Sequence, residues 1–274
     1  MSGTSIQPAG DLAVPAMGYG TFQLYGEDAY RGTRCALEVG YRHLDTAQGY
    51  DNEAEVGRAL ADSGVDREQV FITTKIKPSN AAASDVHAST RASLRELGID
   101  RLDLLLLHWP AEDVAPLEET LEAMTELREA GLTRAIGVSN FPSAMLERAF
   151  ALAPIVTDQV EHHPYLGVDA IRSVLTAHGG FVTAYSPLAR GEVASDPVLV
   201  EIAAAHDATP AQVALRYLLD LPATVVIPKS ADPERIESNL LALELDLTDA
   251  DRERIAALER GRRFIDPEGA PDWD

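Results

Sequence analysis

The hydrophobic pattern alternates between two kinds of segment along most of the chain. Short runs rich in Leu, Ile and Val predict buried strands, and each is followed by an amphipathic stretch that predicts a helix. In the first half the units are strand 16–22, helix 27–39, strand 43–45, helix 53–63, strand 70–75, helix 84–97, strand 102–108 and helix 117–130. A glycine follows each of these helices, at Gly40, Gly64, Gly98 and Gly131, where a left-handed residue ends a helix.

The same alternation continues to the end of the second half. The units are strand 134–138, helix 143–152, strand 158–161, helix 169–178, strand 181–185, helices within 197–221, strand 224–227 and helix 233–243. A final helix follows at 248–259, with Thr248 as its predicted cap, and an irregular tail at 261–274 carries Trp273.

Eight strands that alternate with helices predict an α/β fold with a parallel sheet. The length of 274 residues suits a (β/α)8 TIM barrel, which needs about 250 residues as one unit. No Pro/Gly/Ser-rich linker divides the chain, so we expect a single domain over residues 1–274 with extra helices and a short C-terminal tail. A doubly wound open sheet is the alternative, but GYGTF is not the G-x-G-x-x-G fingerprint of that fold.

Composition narrows the class of protein. The 23 basic and 44 acidic residues give a formal charge of −21, which argues against nucleic acid as a partner. After a short polar lead, no apolar run approaches the roughly 20 residues that cross a bilayer, and the lone Cys35 gives no disulfide framework. We therefore expect a cytoplasmic monomer with no membrane partner.

Four polar residues of complementary acidity stand at or just after predicted strand ends. Asp45 and Tyr50 lie in HLDTAQGYDNE, Lys75 ends FITTK, and His108 ends the run LLLLH. Strand ends are where parallel β/α folds place their chemistry. A buried ammonium needs a partner, for which Asp45 is suited, and Lys75 beside Tyr50 would stabilise the phenolate.

Such a group suits proton delivery to a carbonyl oxygen while hydride reaches the carbon, with His108 bonded to the phenol or to the substrate carbonyl. Each residue also has a structural interpretation: an internal ion pair for Lys75 with Asp45, a barrel-rim residue for His108, and packing for Tyr50. All four together favour the catalytic interpretation.

The motifs then resemble those of a known family. They are GYGTF, HLDTAQGYDNE, VFITTKI, LLLHWP, IGVSNF, QVEHHPY, YSPL and IPKS, in order over nearly the whole chain, and they resemble the aldo-keto reductase superfamily. The resemblance implies a barrel that reduces aldehydes and ketones with NADPH, with Tyr50 as general acid, Asp45 and Lys75 as the pair that tunes it, and His108 orienting the carbonyl. The size and short tail resemble the prokaryotic branch that includes 2,5-diketo-D-gluconic acid reductases.

The resemblance also implies a set of cofactor-binding residues. The first-loop contacts are Gly20, Thr21 and Phe22, and the contacts to the nicotinamide carboxamide are Ser139, Asn140 and Gln159. Tyr185 stacks on the nicotinamide ring, and Ser186 and Leu188 contact the pyrophosphate. Without the family, Gly20 to Phe22 fit a turn beside a core aromatic. Likewise, Asn140 fits a helix start before Pro142, and Gln159 fits a buried polar residue bonded to a neighbouring strand.

The segment IPKSADPERIESN predicts an anion site on physical grounds. Lys229 and Ser230 precede a helix that carries Arg235, and a helix N-terminus with two cations attracts an anion. By resemblance, Lys229 and Arg235 bind the 2′-phosphate of NADPH, Ser230 assists, and Asn239 contacts adenine.

Two residues depart from the family pattern. Asp232 stands where relatives carry a neutral or basic residue, so NADPH is the expected cofactor but NADH is possible because of Asp232. Asp158 replaces the asparagine usual before the glutamine, which bears on the nicotinamide contacts.

The other candidate chemistry is a metal or a substrate wall. Glu161 and His163 face the same side of a strand, but no third ligand accompanies them, so no metal is predicted. The predicted substrate wall is Phe22, Tyr50, His108 and Trp109, closed by the loop 188–196 and by Trp273, which suits a small carbonyl compound. Two other functions stay open: an NADPH-binding redox-sensing accessory protein with little turnover, and a metal-dependent barrel hydrolase.

Overall fold

The computed structural model describes residues 5–6 and 12–274, so most of the polar lead lies outside the described residues. A short antiparallel pair, β1 (Ser5–Ile6) with β2 (Val14–Pro15), precedes the main sheet. Within the described chain that sheet has eight parallel strands, hydrogen-bonded in chain order. They are β3 (Tyr19–Gly20), β4 (His43–Asp45), β5 (Phe71–Ile76), β6 (Leu102–Leu107), β7 (Thr133–Ser139), β8 (Ile155–Glu161), β9 (Phe181–Tyr185) and β10 (Thr224–Val226).

Backbone hydrogen bonds join the last strand to the first. Gly18 N donates to Val226 O at 2.8 Å, and Gly20 N donates to Pro228 O at 3.1 Å. The approach at Gly20 requires glycine, because a Cβ there would lie 2.8 Å from Ile227 O. A sheet closed on itself is a barrel, so the predicted (β/α)8 fold is confirmed and the open-sheet alternative is wrong.

Helices follow the strands around the outside of the barrel. They are α1 (Gly26–Val39), α2 (Glu53–Ser63), α3 (Ala83–Leu97), α4 (Leu117–Glu129), α5 (Ser143–Leu152), α6 (Asp169–Ala177), α7 (Pro197–Ala205), α8 (Pro210–Asp220), α9 (Pro233–Leu240) and α10 (Asp249–Ala256). Short 3-10 segments lie at Gln48–Tyr50, Arg67–Gln69, Pro78–Asn80, Ala189–Ser195 and Leu241–Glu244. In the described part of the chain, no helix is long and apolar enough to cross a membrane.

Local signals set the helix ends. The predicted cap Thr248 accepts from Asp251 N at the start of α10, and the glycines after α1, α2 and α3 adopt positive φ. The region 197–221, predicted as helices, divides where Thr209 caps α8 and Pro210 begins it. The predicted helix 248–259 is shorter than expected, because regular α-helix ends at Ala256.

Side-chain parity along the strands divides the core into two layers. Leu104 and Leu106 pack inside the barrel, whereas Leu105 and Leu107 pack against the surrounding helices. On β5 the inward set begins with Phe71, and Lys75 lies four residues later on the same face. The strand therefore directs the lysine toward the barrel axis at its carboxyl end.

Candidate active site

Four polar side chains meet at the carboxyl ends of β4, β5 and β6. Lys75 Nζ lies 2.5 Å from Asp45 Oδ1 and donates to Tyr50 Oη at 3.4 Å. On the other side of the phenol, His108 Nε2 lies 3.5 Å from Tyr50 Oη. The structure therefore brings together all four residues that the sequence singled out.

The ammonium of Lys75 is fully buried and fully bonded. Its side chain is 0% exposed, and its third hydrogen bond runs to Thr46 O at 2.8 Å. Asp45 is satisfied as well, since Gln159 Nε2 donates to its second oxygen at 2.8 Å. Burial lowers the pKa of Lys75. The charges and hydrogen bonds of Asp45 and Tyr50 together raise it by more, so the net pKa is above the ordinary value. The lysine is therefore charged at neutral pH.

The two groups that face the mouth titrate outside the neutral range. Burial raises the pKa of Tyr50 and the charge of Lys75 opposes it, with a net pKa above the ordinary value. The sequence predicted that Lys75 stabilises the phenolate of Tyr50, and the charge of Lys75 does lower the pKa of Tyr50. The effect of burial on that pKa is larger, so the phenol stays protonated at neutral pH. Burial and the charge of Lys75 lower the pKa of His108 to about 3, so its imidazole is neutral at pH 7.

Aromatic rings surround the phenol at the barrel mouth. The ring of Phe22 lies 5.1 Å from that of Tyr50 and is 46% exposed, although it is a large apolar side chain. The ring of His108 lies 5.4 Å from Tyr50, edge to face. A substrate at Tyr50 therefore meets an apolar wall on one side and a neutral imidazole on the other.

The residues predicted to hold a carboxamide form one hydrogen-bonded group. Asn140 Nδ2 donates to His108 O and to Ser139 Oγ, both at 3.0 Å, and Tyr185 Oη donates to Asn140 Oδ1 at 2.8 Å. Asn140 itself adopts a φ of 65°, in the left-handed region. The residue that precedes α5 is Pro142, and the Asn140 side chain does not cap that helix.

These groups fit a nicotinamide carboxamide. Gln159 Nε2 is bonded to Asp45, and its Oε1 accepts no hydrogen bond within the described residues, which leaves an acceptor for an amide N–H. The bond to Asp45 also crosses the barrel instead of joining a neighbouring strand. Amide and hydroxyl groups beside the aromatic ring of Tyr185 are the donor and acceptor set that this ligand needs.

Asp158 lies on the opposite face of β8 from Gln159. It is 0% exposed, its Oδ1 accepts from Phe141 N at 3.5 Å, and its Oδ2 has no partner among the described residues. Burial raises the pKa of Asp158 well above the ordinary value. This departure from the family pattern therefore bears on the turn between β7 and α5, where the backbone of Asn140 and Phe141 donates to the Asp158 carboxyl.

The loop after β9 is fixed by its backbone and by the tail. Ser186 adopts a φ of 48°, and Leu188 accepts a backbone bond from Gly191 N at 2.8 Å. Farther along the loop, the carboxylate of Glu192 pairs with Arg262 of the C-terminal tail. Ser186 and Leu188 thus lie in a tightly turned segment directly after β9.

The predicted anion site at α9 already carries a carboxylate. Asp232 caps the helix by accepting from Glu234 N at 3.0 Å and Arg235 N at 3.3 Å. Arg235 pairs with the same carboxylate at 3.2 Å and is 74% exposed, and Lys229 is exposed. Two cations remain beside the helix start, but Asp232 offsets part of their field.

Two other residues of this segment are buried. Ser230 Oγ accepts from Asp232 N at 3.0 Å, so Ser230 braces the turn that leads into α9. Asn239 lies in α9 and is 5% exposed.

The first loop is held from two sides. Gly20 N donates to Pro228 O, just before the segment that leads into α9, and Thr21 Oγ1 donates to Asp45 O at 3.0 Å. The first loop is therefore joined to the catalytic strand.

Glu161 and His163 anchor the C-terminal tail. Glu161 accepts from His163 Nε2 at 3.1 Å, from Phe264 N at 2.8 Å and from Ile265 N at 2.9 Å. Burial raises the pKa of Glu161. These donors together lower it by more, so the net pKa is below the ordinary value. Among the described residues no group of three potential metal ligands occurs.

The far end of the tail lies over the loops that follow β6 and β7. The ring of Trp273 packs edge to face on Trp109 at 6.1 Å between centroids. Asp274 then accepts from Ser143 N at 2.9 Å and from Ser143 Oγ at 2.6 Å, at the start of α5. The sequence suggested that Trp273 closes the site, but these two attachments carried no recognisable signal.

A polar cavity of about 290 Å³ lies behind the turn that carries Tyr50. Gln48, Glu53, Lys77 and Asn80 are among its lining residues, and none of the four central groups lines it. Gln48 Oε1 accepts from Lys77 N and Asn80 Nδ2, both at 3.0 Å. The cavity is thus separate from the catalytic cluster.

Comparison with known proteins agrees with this site. The family model Aldo/keto reductase family matches residues 16–260. Methylglyoxal reductase DkgB of Escherichia coli O157:H7 is 44% identical over 268 residues, covering 96% of this chain and 100% of the relative.

Solved structures give the same result. A crystal structure of a candidate 2,5-diketo-D-gluconic acid reductase B has a TM-score of 0.93 and 42% identity, covering 95% of this chain and 94% of that one. A Bombyx mori aldo-keto reductase in complex with NADP has a TM-score of 0.91 and 30% identity, covering 100% and 98%. The resemblance seen in the motifs, including that to the 2,5-diketo-D-gluconic acid reductases, is confirmed. The chain belongs to the aldo/keto reductase family and is an NAD(P)H-dependent oxidoreductase.

Proposed function

We propose that this protein reduces the carbonyl group of small aldehydes and ketones to an alcohol, with NADPH as cofactor and Tyr50 as general acid. One observation carries the proposal: the buried ammonium of Lys75 lies 2.5 Å from Asp45 Oδ1 and 3.4 Å from Tyr50 Oη. A cation so placed stabilises the phenolate that remains after proton transfer. As a purely structural ion pair, Lys75 would not need to contact the phenol.

The substrate carbonyl oxygen binds between Tyr50 and His108. The phenol oxygen and His108 Nε2 are 3.5 Å apart, so one oxygen atom reaches both as a hydrogen-bond acceptor. His108 is neutral at pH 7 and orients the carbonyl without taking the proton. Tyr50 gives its proton to the carbonyl oxygen. When bound, a reduced nicotinamide would supply the hydride to the carbonyl carbon. Ser139, Asn140 and Gln159 would hold its carboxamide, and Tyr185 would pack on its ring.

The remaining cofactor contacts divide between the two ends of the molecule. Gly20, Thr21 and Phe22 border the nicotinamide half, and Ser186 and Leu188 the pyrophosphate. Lys229 and Arg235 bind the 2′-phosphate, Ser230 assists and Asn239 contacts the adenine. NADPH is preferred because two cations outweigh the single carboxylate of Asp232, with NADH as a second cofactor. A higher kcat/KM with NADH than with NADPH contradicts this preference.

Methylglyoxal is the first substrate to test, because the E. coli relative is a methylglyoxal reductase. Tyr50→Phe removes the acidic hydroxyl and retains the ring against Phe22. We expect kcat/KM to fall by roughly 10²- to 10⁴-fold while the Kd of NADPH stays unchanged. Tyr25→Phe is the matched control, since Tyr25 precedes α1 in the loop that carries Phe22 and is 62% exposed. NADPH binding without turnover of any carbonyl instead supports the redox-sensing alternative.

The proposal extends to the state of the protein. Residues 1–274 act as one domain and as a monomer, which sedimentation equilibrium tests directly. The single cysteine excludes an internal disulfide and fits a reducing compartment, so the proposed location is the cytoplasm.

A further inference from the structure

The buried side chain of Asn52 joins three segments around the turn that carries Tyr50. Its Nδ2 donates to Thr21 O and to Leu24 O, both at 2.9 Å, and its Oδ1 accepts from Thr46 Oγ1 at 2.7 Å. Asn52 directly precedes α2, where an asparagine side chain usually caps the helix, but it makes no capping hydrogen bond there. Its amide is therefore used entirely to hold other segments.

The two carbonyls bonded by Asn52 are the ends of a tight turn that presents Phe22. Leu24 N donates to Thr21 O at 3.1 Å, which closes a four-residue turn. Gln23 in this turn has a φ of 59°, in the left-handed region that residues other than glycine adopt only at a cost. Neither Phe22 nor Gln23 makes a hydrogen bond within the described part of the chain. The position of Phe22 therefore depends on how Asn52 holds both ends of the turn.

The preceding part of the first loop is held by other bonds. Gly20 N donates to Pro228 O at 3.1 Å, and Thr21 N and Thr21 Oγ1 both donate to Asp45 O at 3.0 Å. These bonds do not involve Asn52. Loss of the Asn52 amide therefore leaves Gly20 and Thr21 in place and releases only the part of the loop that follows them.

Tyr50 is also held independently of Asn52. Its N–H donates to Ala47 O at 3.0 Å, and its phenol oxygen accepts from Lys75 Nζ. The ring of Phe22 lies 5.1 Å from the ring of Tyr50 and is exposed at the mouth. Asn52 thus sets the place of an exposed apolar ring relative to a phenol whose own position is already fixed.

We infer that Asn52 is a positioning residue: it fixes the Phe22 ring beside Tyr50, so its loss weakens the binding of carbonyl compounds in proportion to their apolar chain. The inference rests on the proposed function, in which the substrate carbonyl binds at Tyr50. A ring that is already ordered offers apolar area to a substrate without losing freedom when the substrate binds. A small polar carbonyl compound covers little of the ring and gains little from its order.

The test compares hexanal, which has an apolar chain, with methylglyoxal, which has almost none. Asn52→Leu has a similar size and removes all three hydrogen bonds. We expect the KM of hexanal to rise roughly 5- to 20-fold, because the released ring must be ordered again when substrate binds. The kcat stays within about threefold, because Tyr50 keeps its partners, and so do the KM of methylglyoxal and the Kd of NADPH.

Phe22→Ala shows whether Asn52 acts through the ring. Alone, this replacement should raise the KM of hexanal by a similar factor. Asn52→Leu added to it should then change the KM by less than about twofold, because the ring that Asn52 fixes is gone. Effects of the two replacements that multiply in full overturn the inference.

Gln48→Leu is the matched control on the other side of the Tyr50 turn. The Gln48 amide also makes three hydrogen bonds, all to residues between 77 and 93, and none of them leads to Phe22. We expect the KM of hexanal in this variant to stay within about twofold of the wild-type value. A rise equal to that of Asn52→Leu overturns the inference, because both replacements then act by loosening the whole turn.

Asn52→Asp carries the test if Asn52→Leu does not fold, as judged by urea unfolding. It keeps an acceptor for Thr46 Oγ1 and loses the two donors to the first loop, so we expect a similar rise in the KM of hexanal. If neither variant folds, Asn52 is a structural residue and the inference fails.

Three results in a folded variant also overturn the inference: an unchanged KM of hexanal, a kcat that falls as much as the KM rises, and a Kd of NADPH weakened more than about threefold. If the wild type reduces neither aldehyde, the proposed function fails too. Good wild-type turnover of hexanal with the same KM in Asn52→Leu refutes only the role of Asn52.

Discussion

Replacement of Lys75 by methionine tests the centre of the proposed mechanism. The ammonium lies 3.4 Å from Tyr50 Oη, and two unit charges at this separation interact by about 5 kcal/mol at an effective dielectric of about 20. If half of the charge develops on the phenol oxygen in the transition state, the variant loses about 2.5 kcal/mol, or roughly 10²-fold in rate. Methionine has a similar length and keeps the barrel filled.

The same replacement leaves Asp45 buried without its cation. Removing one partner of a buried pair typically destabilises a protein by about 3–5 kcal/mol, so misfolding would confuse the result. The double variant Asp45→Asn, Lys75→Met removes both charges, and its amide still accepts from Gln159. We expect the double variant to regain most of the stability, measured by urea unfolding, but not the activity.

The pH profile separates a catalytic role from a structural one. Carbonyl reduction needs the protonated phenol, so activity falls as pH rises through the pKa of Tyr50. Burial already places that pKa above the ordinary value, and loss of Lys75 raises it further. The fall at alkaline pH therefore moves to higher pH in the folded variant while its plateau rate is lower. Single-turnover reduction over a pH series measures both. An unchanged plateau in a folded Lys75→Met protein refutes the reasoning.

Two further replacements test charges whose environment the structure defines. Asp232→Ser keeps a capping oxygen for α9 and removes the carboxylate beside Lys229 and Arg235. We therefore expect the ratio of kcat/KM for NADPH to that for NADH to rise roughly fivefold. An unchanged ratio in steady-state assays means that Asp232 does not face the phosphate. Asp158→Asn should stabilise the fold, because the raised pKa of Asp158 means that the native state keeps a proton which the unfolded state releases above a pKa of about 3.9. The gain, about 1–3 kcal/mol, grows as pH rises from 4 toward the folded pKa, and equal urea midpoints for the two proteins at pH 7 would contradict it.

The positions of the central groups were predictable because they depend on local rules. Parity along β5 follows from the two-residue repeat of a strand, so Phe71 inside the barrel implies Lys75 on the same face. The carboxyl ends of neighbouring parallel strands meet at one rim, which places Asp45 and His108 next to that lysine. Their partners were predictable for the same reason, since few other acceptors are available at a buried strand end.

The cofactor end was harder to read. The sequence showed two cations before a helix, but it did not show that Asp232 both caps α9 and pairs with Arg235. An aspartate followed by proline is a strong helix-start signal, and that signal was available. The charge near the phosphate site depends on side-chain orientation, which the spacing of residues does not define.

By itself, the amino-acid order determined the alternation of strands and helices, the inward face of each strand and the identity of the four polar groups, because backbone geometry converts spacing directly into direction. Only the closed tertiary structure decided the balance of burial and charge at Tyr50, the path of the tail from Glu161 to Ser143, and the bonds from Asn52 to the first loop. Those features depend on segments distant in sequence that meet at the mouth. Desolvation and ion pairing there follow from how closely the segments pack, and no local pattern encodes that distance.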